Sequence, residues 1–224
     1  MHISPPLRKA RTLCVVAAVS ALSLMAQQAN ASLISMDTRY SNSGPLATGD
    51  AYRNLIDGLA AAAPTAGYGG TTLASFNSVS NQSVFGTNTN IAFRYTVDFG
   101  TENSGVWNFR IGPDFGHGGA VFLDGALVGF QNGNMWWAGS YATTTQDFEF
   151  LANLTVGNHR LQIYGLEDCC DGSQQAQFKA AGGTSYTSFS STDGNNVMRV
   201  PEPGTLSLLT AAAVALVSRR RQAR

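Results

Sequence analysis

Between Ile91 and Phe99 the chain alternates almost without a break: Ile91, Phe93, Tyr95, Val97 and Phe99 are apolar, with Arg94, Thr96 and Asp98 between them. A period of two sends successive side chains to opposite faces, so the segment reads as a strand with its odd-numbered face inward. The pattern recurs. Val106–Ile111 puts Trp107, Phe109 and Ile111 on one face, and Ala120–Leu123 and Ala126–Phe130 flank Asp124-Gly125, a type I′ hairpin signal. Phe148–Phe150 and His159–Leu166 follow, joined by a turn at Val156-Gly157-Asn158, and Gln175–Ala180 and Thr184–Phe189 read as closing strands. Aromatic residues make up 10% of the chain and charged residues only 12%, a balance that suits short strands linked by Gly-rich turns. The expectation is an all-β fold, a single β-sandwich or jelly roll. One short peripheral helix is expected near residues 50–62, where Tyr52, Leu55, Ile56 and Leu59 recur at helical spacing and Pro64 ends the run. Its stripe is expected to cover one end or edge of the sandwich.

Both ends of the chain stand apart from this body. Arg8, Lys9 and Arg11 precede an apolar run Leu13–Leu24, and Ala29 and Ala31 then place small residues at the two cleavage-defining positions. Residues 1–31 therefore read as a signal peptide, removed after Ala31 by signal peptidase. At the other end Val200-Pro201-Glu202-Pro203-Gly204 leads into an apolar run Thr205–Val217 and then Arg219, Arg220 and Arg221. That run is shorter than the ~20 residues a comfortable spanning helix needs, but snorkelling arginines let such a segment just cross, with its basic end cytoplasmic. The order of Pro-Glu-Pro word, apolar span and basic stop resembles the PEP-CTERM sorting tail of exported proteins in Gram-negative bacteria that make exopolysaccharide. The resemblance implies recognition by an exosortase, transient insertion in the inner membrane, and delivery to the cell surface or extracellular matrix. The organisation expected is a signal peptide over 1–31, a sandwich over 32–190, a spacer over 191–199 and the sorting tail over 200–224.

Fourteen basic and fourteen acidic residues cancel over the whole chain. The signals hold half of the cations but only one of the carboxylates: between Ser32 and Val200, seven basic residues face thirteen acidic ones, near −6. A nucleic-acid partner wants a basic face, so that class is excluded. Of three cysteines, Cys14 leaves with the signal peptide, and the exported chain keeps only the adjacent pair Cys169 and Cys170. In an oxidising compartment these bond to each other, closing a small ring, or to another molecule. The first is the expectation. The word Cys169-Cys170-Asp171-Gly172 also resembles the hallmark of a PEP-CTERM subgroup named for a Cys-Cys-x-Gly motif.

Three further words follow in order: Val106–Ile111, Ala120–Gly125 and Leu154–Tyr164. Together they resemble the lectin-like β-sandwich first described in the anthrax protective antigen. In its sugar-binding members two adjacent loop aspartates hold calcium, and the ion coordinates sugar hydroxyls. The corresponding turn here, Gly112-Pro113-Asp114-Phe115-Gly116, has Asp114 alone.

Candidate chemistry gathers near the cysteine pair. Glu167, Asp168 and Asp171 crowd that turn, and hard oxygen ligands at close spacing suit calcium, with Asp114 or Asp124 as a more distant candidate ligand. The alternative is that acidic residues simply decorate an exposed turn. Trp136 and Trp137 offer indoles that stack on sugar rings, but on a strand they must point to opposite faces, one into the core and one outward. His117 lies in a Gly-rich loop where a functional role is open, and His159 reads as a satisfied, partly buried residue. No nucleophile elbow, phosphate-cradling loop or metalloprotease helix is present. The function expected is a non-catalytic cell-surface or matrix protein that associates with exopolysaccharide in a biofilm and binds carbohydrate. The alternatives are a structural or protein-interaction surface element without sugar affinity, and a secreted hydrolase.

Overall fold

Every strand predicted from the alternation is formed, and the longest of them organises the rest. The computed structural model describes residues 32–195 and Val197. In chain order its elements are β1 (Leu33–Tyr40), α1 (Gly49–Ala60), β2 (Gly70–Leu73), α2 (Asn81–Phe85), β3 (Thr89–Thr101), β4 (Gly105–Gly112) and β5 (Gly119–Leu123). They continue with β6 (Ala126–Gln131), β7 (Phe148–Leu154), β8 (Gly157–Cys169), β9 (Gln175–Lys179) and β10 (Thr187–Ser188). Two antiparallel sheets result. One has six strands in the order β2-β1-β3-β8-β5-β6, the other four in the order β10-β9-β4-β7. β3 and β8 pair along almost their whole length, from Thr89↔Cys169 to Thr101↔Gly157.

The odd-numbered face of β3 is the core face as expected: Ile91, Phe93, Tyr95, Val97 and Phe99 are fully buried. They meet Trp107, Phe109 and Ile111 of β4 and Leu161 and Ile163 of β8 between the sheets. Aromatic rings fill this space, with Phe99 lying 5.8 Å from Trp107, 6.0 Å from Phe109 and 5.5 Å from Phe189. Burying each such ring contributes roughly 1.5–3 kcal/mol. The Asp124-Gly125 hairpin is also as expected, with φ of +50° and +82°, both positive as a type I′ turn demands.

The helix α1 begins at Thr48, whose hydroxyl accepts from the Ala51 N–H at 3.1 Å. It covers the outer face of the six-stranded sheet, and not an end or edge of the sandwich. The reason is a second apolar face: Ala92, Ala120, Phe122, Tyr164 and Leu166 point outward from β3, β5 and β8, and Tyr52 and Ile56 close over them. Arg94 fastens the helix, reaching Asp37 at 2.9 Å and Asp57 at 3.1 Å.

Four further expectations are corrected. The eight-residue β1 and the short β2 are not marked by the sequence pattern. A second helix, α2, forms where Ser80 and Ser83 build a reciprocal capping box. The expected closing strand Thr184–Phe189 shrinks to Thr187–Ser188. The spacer does not begin at 191, because Asp193 accepts from the Ser32 N–H at 3.2 Å and the Ser190 N–H at 3.0 Å, tying residues 191–195 to the sandwich. The cleavage positions Ala29 and Ala31, and the sorting residues Pro201, Glu202, Pro203, Arg219, Arg220 and Arg221, lie outside the described residues. Among the described residues no helix is long and apolar enough to cross a membrane.

Candidate functional site

Antiparallel order sends alternate loops to the same end of the sandwich. The β4–β5, β6–β7 and β8–β9 loops meet there around a cleft of about 730 Å³. Its walls carry Asp114, His117, Trp136, Trp137, Glu167, Asp168, Cys169 and Cys170 together with Ser78, Asn134 and Gln175. Topology has thus assembled nearly all the candidates that the sequence scattered over more than fifty positions.

Phe115 pins the first loop. Fully buried, it stacks on Phe93 at 5.5 Å and lies flat on Gly165, where a side chain would strike its ring. Its carbonyl accepts from the Gly118 N–H and the Met135 N–H, both at 3.1 Å, so the β6–β7 loop is tied to the β4–β5 loop. The His117 carbonyl accepts from the Tyr52 hydroxyl, which links α1 to the cleft. His117 Nδ1 lies 3.0 Å from the Ser43 carbonyl, an acceptor, so that nitrogen carries the proton. Its Nε2 faces Asp168 at 3.5 Å.

The two tryptophans separate as expected into one buried and one exposed, at 4% and 70%. The cause differs from the strand alternation expected. Both lie in the β6–β7 loop, and Trp136 has a φ of +60° that turns its side chain inward. Its ring fills the place of a side chain at Gly112, 2.4 Å from where a Cβ would stand, and packs on Tyr141 at 4.5 Å. Trp137 projects at the cleft margin with its indole exposed.

The carboxylates are held by backbone donors. Glu167 accepts from the Gly116 N–H at 2.6 Å and the Cys169 N–H at 2.9 Å. Burial nevertheless pushes its carboxyl up to about 7, with a further upward push from Asp114 and Asp168. Asp114 accepts from the Gly172 N–H, and burial raises it as well. Asp171 is not in the cleft. It turns away to accept from the Gln82 N–H at 2.9 Å, at the start of α2, and burial pushes it up to about 6. The calcium expectation fails this test. Among the described residues no group of three or more His, Cys, Asp or Glu side chains is placed to hold a metal ion. Oxygens already engaged by N–H groups, with Asp171 facing another element, do not make a hard-ion cage.

Both cysteines are exposed free thiols, not bonded to each other as expected. His159 is the satisfied residue foreseen, 8% exposed, between Asp124 at 2.7 Å and the Thr155 carbonyl at 2.8 Å. Sequence reasoning missed Ser78, Asn134 and Gln175, small polar residues of loops and strand ends that carry no local signature. It also missed Arg110, whose guanidinium lies between the rings of Tyr141 at 4.1 Å and Tyr186 at 3.9 Å and braces the tryptophan loop.

A two-sheet antiparallel sandwich with a loop-walled cleft at one end defines a class, and the body has the fold of PA14 domains. The PA14 domain of the MpAFP antifreeze protein matches it with a TM-score of 0.50 at 14% identity, over 76% of this chain and 95% of that one. A subtype-switched epithelial adhesin A domain from Candida glabrata, in complex with β-lactose, matches at a TM-score of 0.48 and 10% identity, over 79% and 93%. A PA14 sugar-binding domain from an RTX adhesin matches at 0.46 and 17%, over 74% and 98%. The likeness is one of fold. The chain's end carries a PEP-CTERM protein-sorting motif over residues 199–222. No curated protein matches the chain.

Proposed function

We propose that this is an exported protein, passed by an exosortase to the cell surface or extracellular matrix, whose body binds carbohydrate in the loop-walled cleft without calcium. One observation carries the reading: the exposed indole of Trp137 shares the cleft with Asp114, Asn134, Asp168 and Gln175. A flat apolar ring beside convergent donors and acceptors is what a sugar asks for, one face of C–H groups and a rim of hydroxyls. The volume falls within the roughly 300–1,000 Å³ of small-ligand sites. Binding is favoured over catalysis because Glu167 and Asp114 are each engaged by backbone N–H groups of the cleft loops. The sorting motif supports association with an exopolysaccharide matrix, and the acidic body suits neutral or cationic glycans.

The test is a glycan array, including the producer's own exopolysaccharide, with and without a calcium chelator. Binding that survives chelation and falls at least tenfold in Trp137→Ala is expected. Calcium-dependent binding would overturn the metal-free reading. No binding to any sugar would leave the second reading, a protein-interaction element, for which exposed Val106 and Leu151 on the outer face of the small sheet speak. Delivery is tested by deleting residues 201–224 and fractionating cells; surface location unchanged without the tail would refute it.

A further inference from the structure

Cys169 is the last residue of β8 and Cys170 the first beyond it. In an extended strand adjacent side chains point to opposite faces, which holds neighbouring thiols apart. Cys170 breaks that rule with a φ of +73°, in the left-handed region that residues with a Cβ seldom occupy. The rotation departs from the alternation that would hold the two neighbouring thiols on opposite faces. The turn is clamped on both sides. The Cys169 N–H donates to Glu167 and Asp168, each at 2.9 Å, the Asp171 N–H to the Asn88 carbonyl at 3.1 Å, and the Gly172 N–H to Asp114. Both thiols are exposed on the cleft wall.

We propose that Cys169 and Cys170 are a reversible dithiol–disulfide couple that sets the shape of the cleft wall, the disulfide form holding the ligand more tightly. The ligand half of this rests on the sugar-site reading above. The co-reactant is a disulfide, either of a dithiol-oxidising protein or of a small thiol such as glutathione. The thiolate of one cysteine attacks a sulfur of that disulfide and expels a thiolate. The second cysteine, deprotonated, attacks the mixed disulfide, forms the Cys169–Cys170 bond and expels the other thiolate. The two protons shed by the cysteines go to the two released sulfurs, so two electrons pass from the pair to the oxidant. Contact with Cys170 and the nearby acidic side chains push the Cys169 thiol up to about 11. A thiolate so poorly stabilised favours the bonded form and makes exchange slow near neutral pH. Once bonded, the turn loses torsional freedom, and Asp114 and Asp168, hydrogen-bonded to it, are fixed toward the ligand.

The experiment takes the full chain through buffers of reduced and oxidised glutathione, traps free thiols with an alkylating reagent, and reads intact mass. A monomer whose two cysteines become reactive together, and only on reduction, is expected. Acrylamide quenching of fluorescence should differ between the two forms, and Trp137→Phe should abolish the difference. A sugar bound by the oxidised protein should bind about tenfold more weakly after reduction. Cys170→Gly, which suits the left-handed φ and keeps the fold, should behave as the reduced form in either buffer. Cysteines that alkylate independently in oxidising buffer, a reducible covalent dimer, or equal quenching in both forms would overturn the couple. A disulfide with altered quenching but no sugar bound in either form supports the couple and overturns the sugar reading alone.

Discussion

Trp136 and Trp137 are neighbours with opposite energetic roles, because a left-handed φ at Trp136 folds one indole under the loop and leaves the other outside. Trp136→Ala should therefore destabilise the protein by about 3–5 kcal/mol, the usual cost of emptying a buried aromatic site. Urea denaturation of the two alanine variants checks this, with Trp137→Ala expected to unfold as the parent does. Glu167 makes a second prediction at this scale. Its carboxyl is raised from 4.5 to about 7 in the folded chain. The folded state thus binds the proton more tightly than the unfolded one, and this contribution to stability is fully present below about pH 4.5. It is lost as pH rises through about 7, and it amounts to roughly 3 kcal/mol. Asp171, raised to about 6, acts in the same sense. Thermal unfolding should show a higher melting temperature at pH 5 than at pH 8, by a margin that shrinks in Glu167→Gln. An equal or lower value at pH 5 would contradict the assignment.

At the scale of elements, the β6–β7 loop matters most, since it carries the tryptophans and has no regular structure of its own. It is held by Arg110 on β4, stacked between Tyr141 and Tyr186 and donating to Gln177 Oε1 at 2.7 Å. Arg110→Ala should cost about 1 kcal/mol and raise amide exchange across residues 136–146, while β3 and β8 stay protected. Exchange unchanged in that loop would mean the stack does not brace it. The helix α1 was visible in the sequence because its stripe repeats at helical spacing. Its docking site was not, because Ala92, Phe122 and Tyr164 belong to strands whose other faces already read as core.

Across the whole molecule, the two ends of the body leave from one point. Asp193 accepts from the Ser32, Ser190 and Asn195 N–H groups, so one carboxylate joins the start of the chain's fold to its finish. Asp193→Ala should cost about 1–3 kcal/mol by orphaning those donors, and limited proteolysis should then cut first near residues 190–195. Unaltered proteolysis would show that the tie is not structural. Local pattern alone determined most strands of the core, the Asp124-Gly125 turn, the helix α1, the C-terminal sorting motif and the acidic charge of the body, because periodicity, turn chemistry and net charge are properties of short stretches. Local pattern also singled out Asp114, Trp137, Glu167, Asp168 and the cysteine pair, without saying that they meet. Only the tertiary structure decided that they share a cleft, that Asp171 serves α2 instead, and that among the described residues no three acidic, His or Cys side chains are placed to hold a metal ion. Those outcomes depend on sheet order, which brings the β4–β5, β6–β7 and β8–β9 loops to one end, and on where individual backbone N–H groups point once the loops are packed.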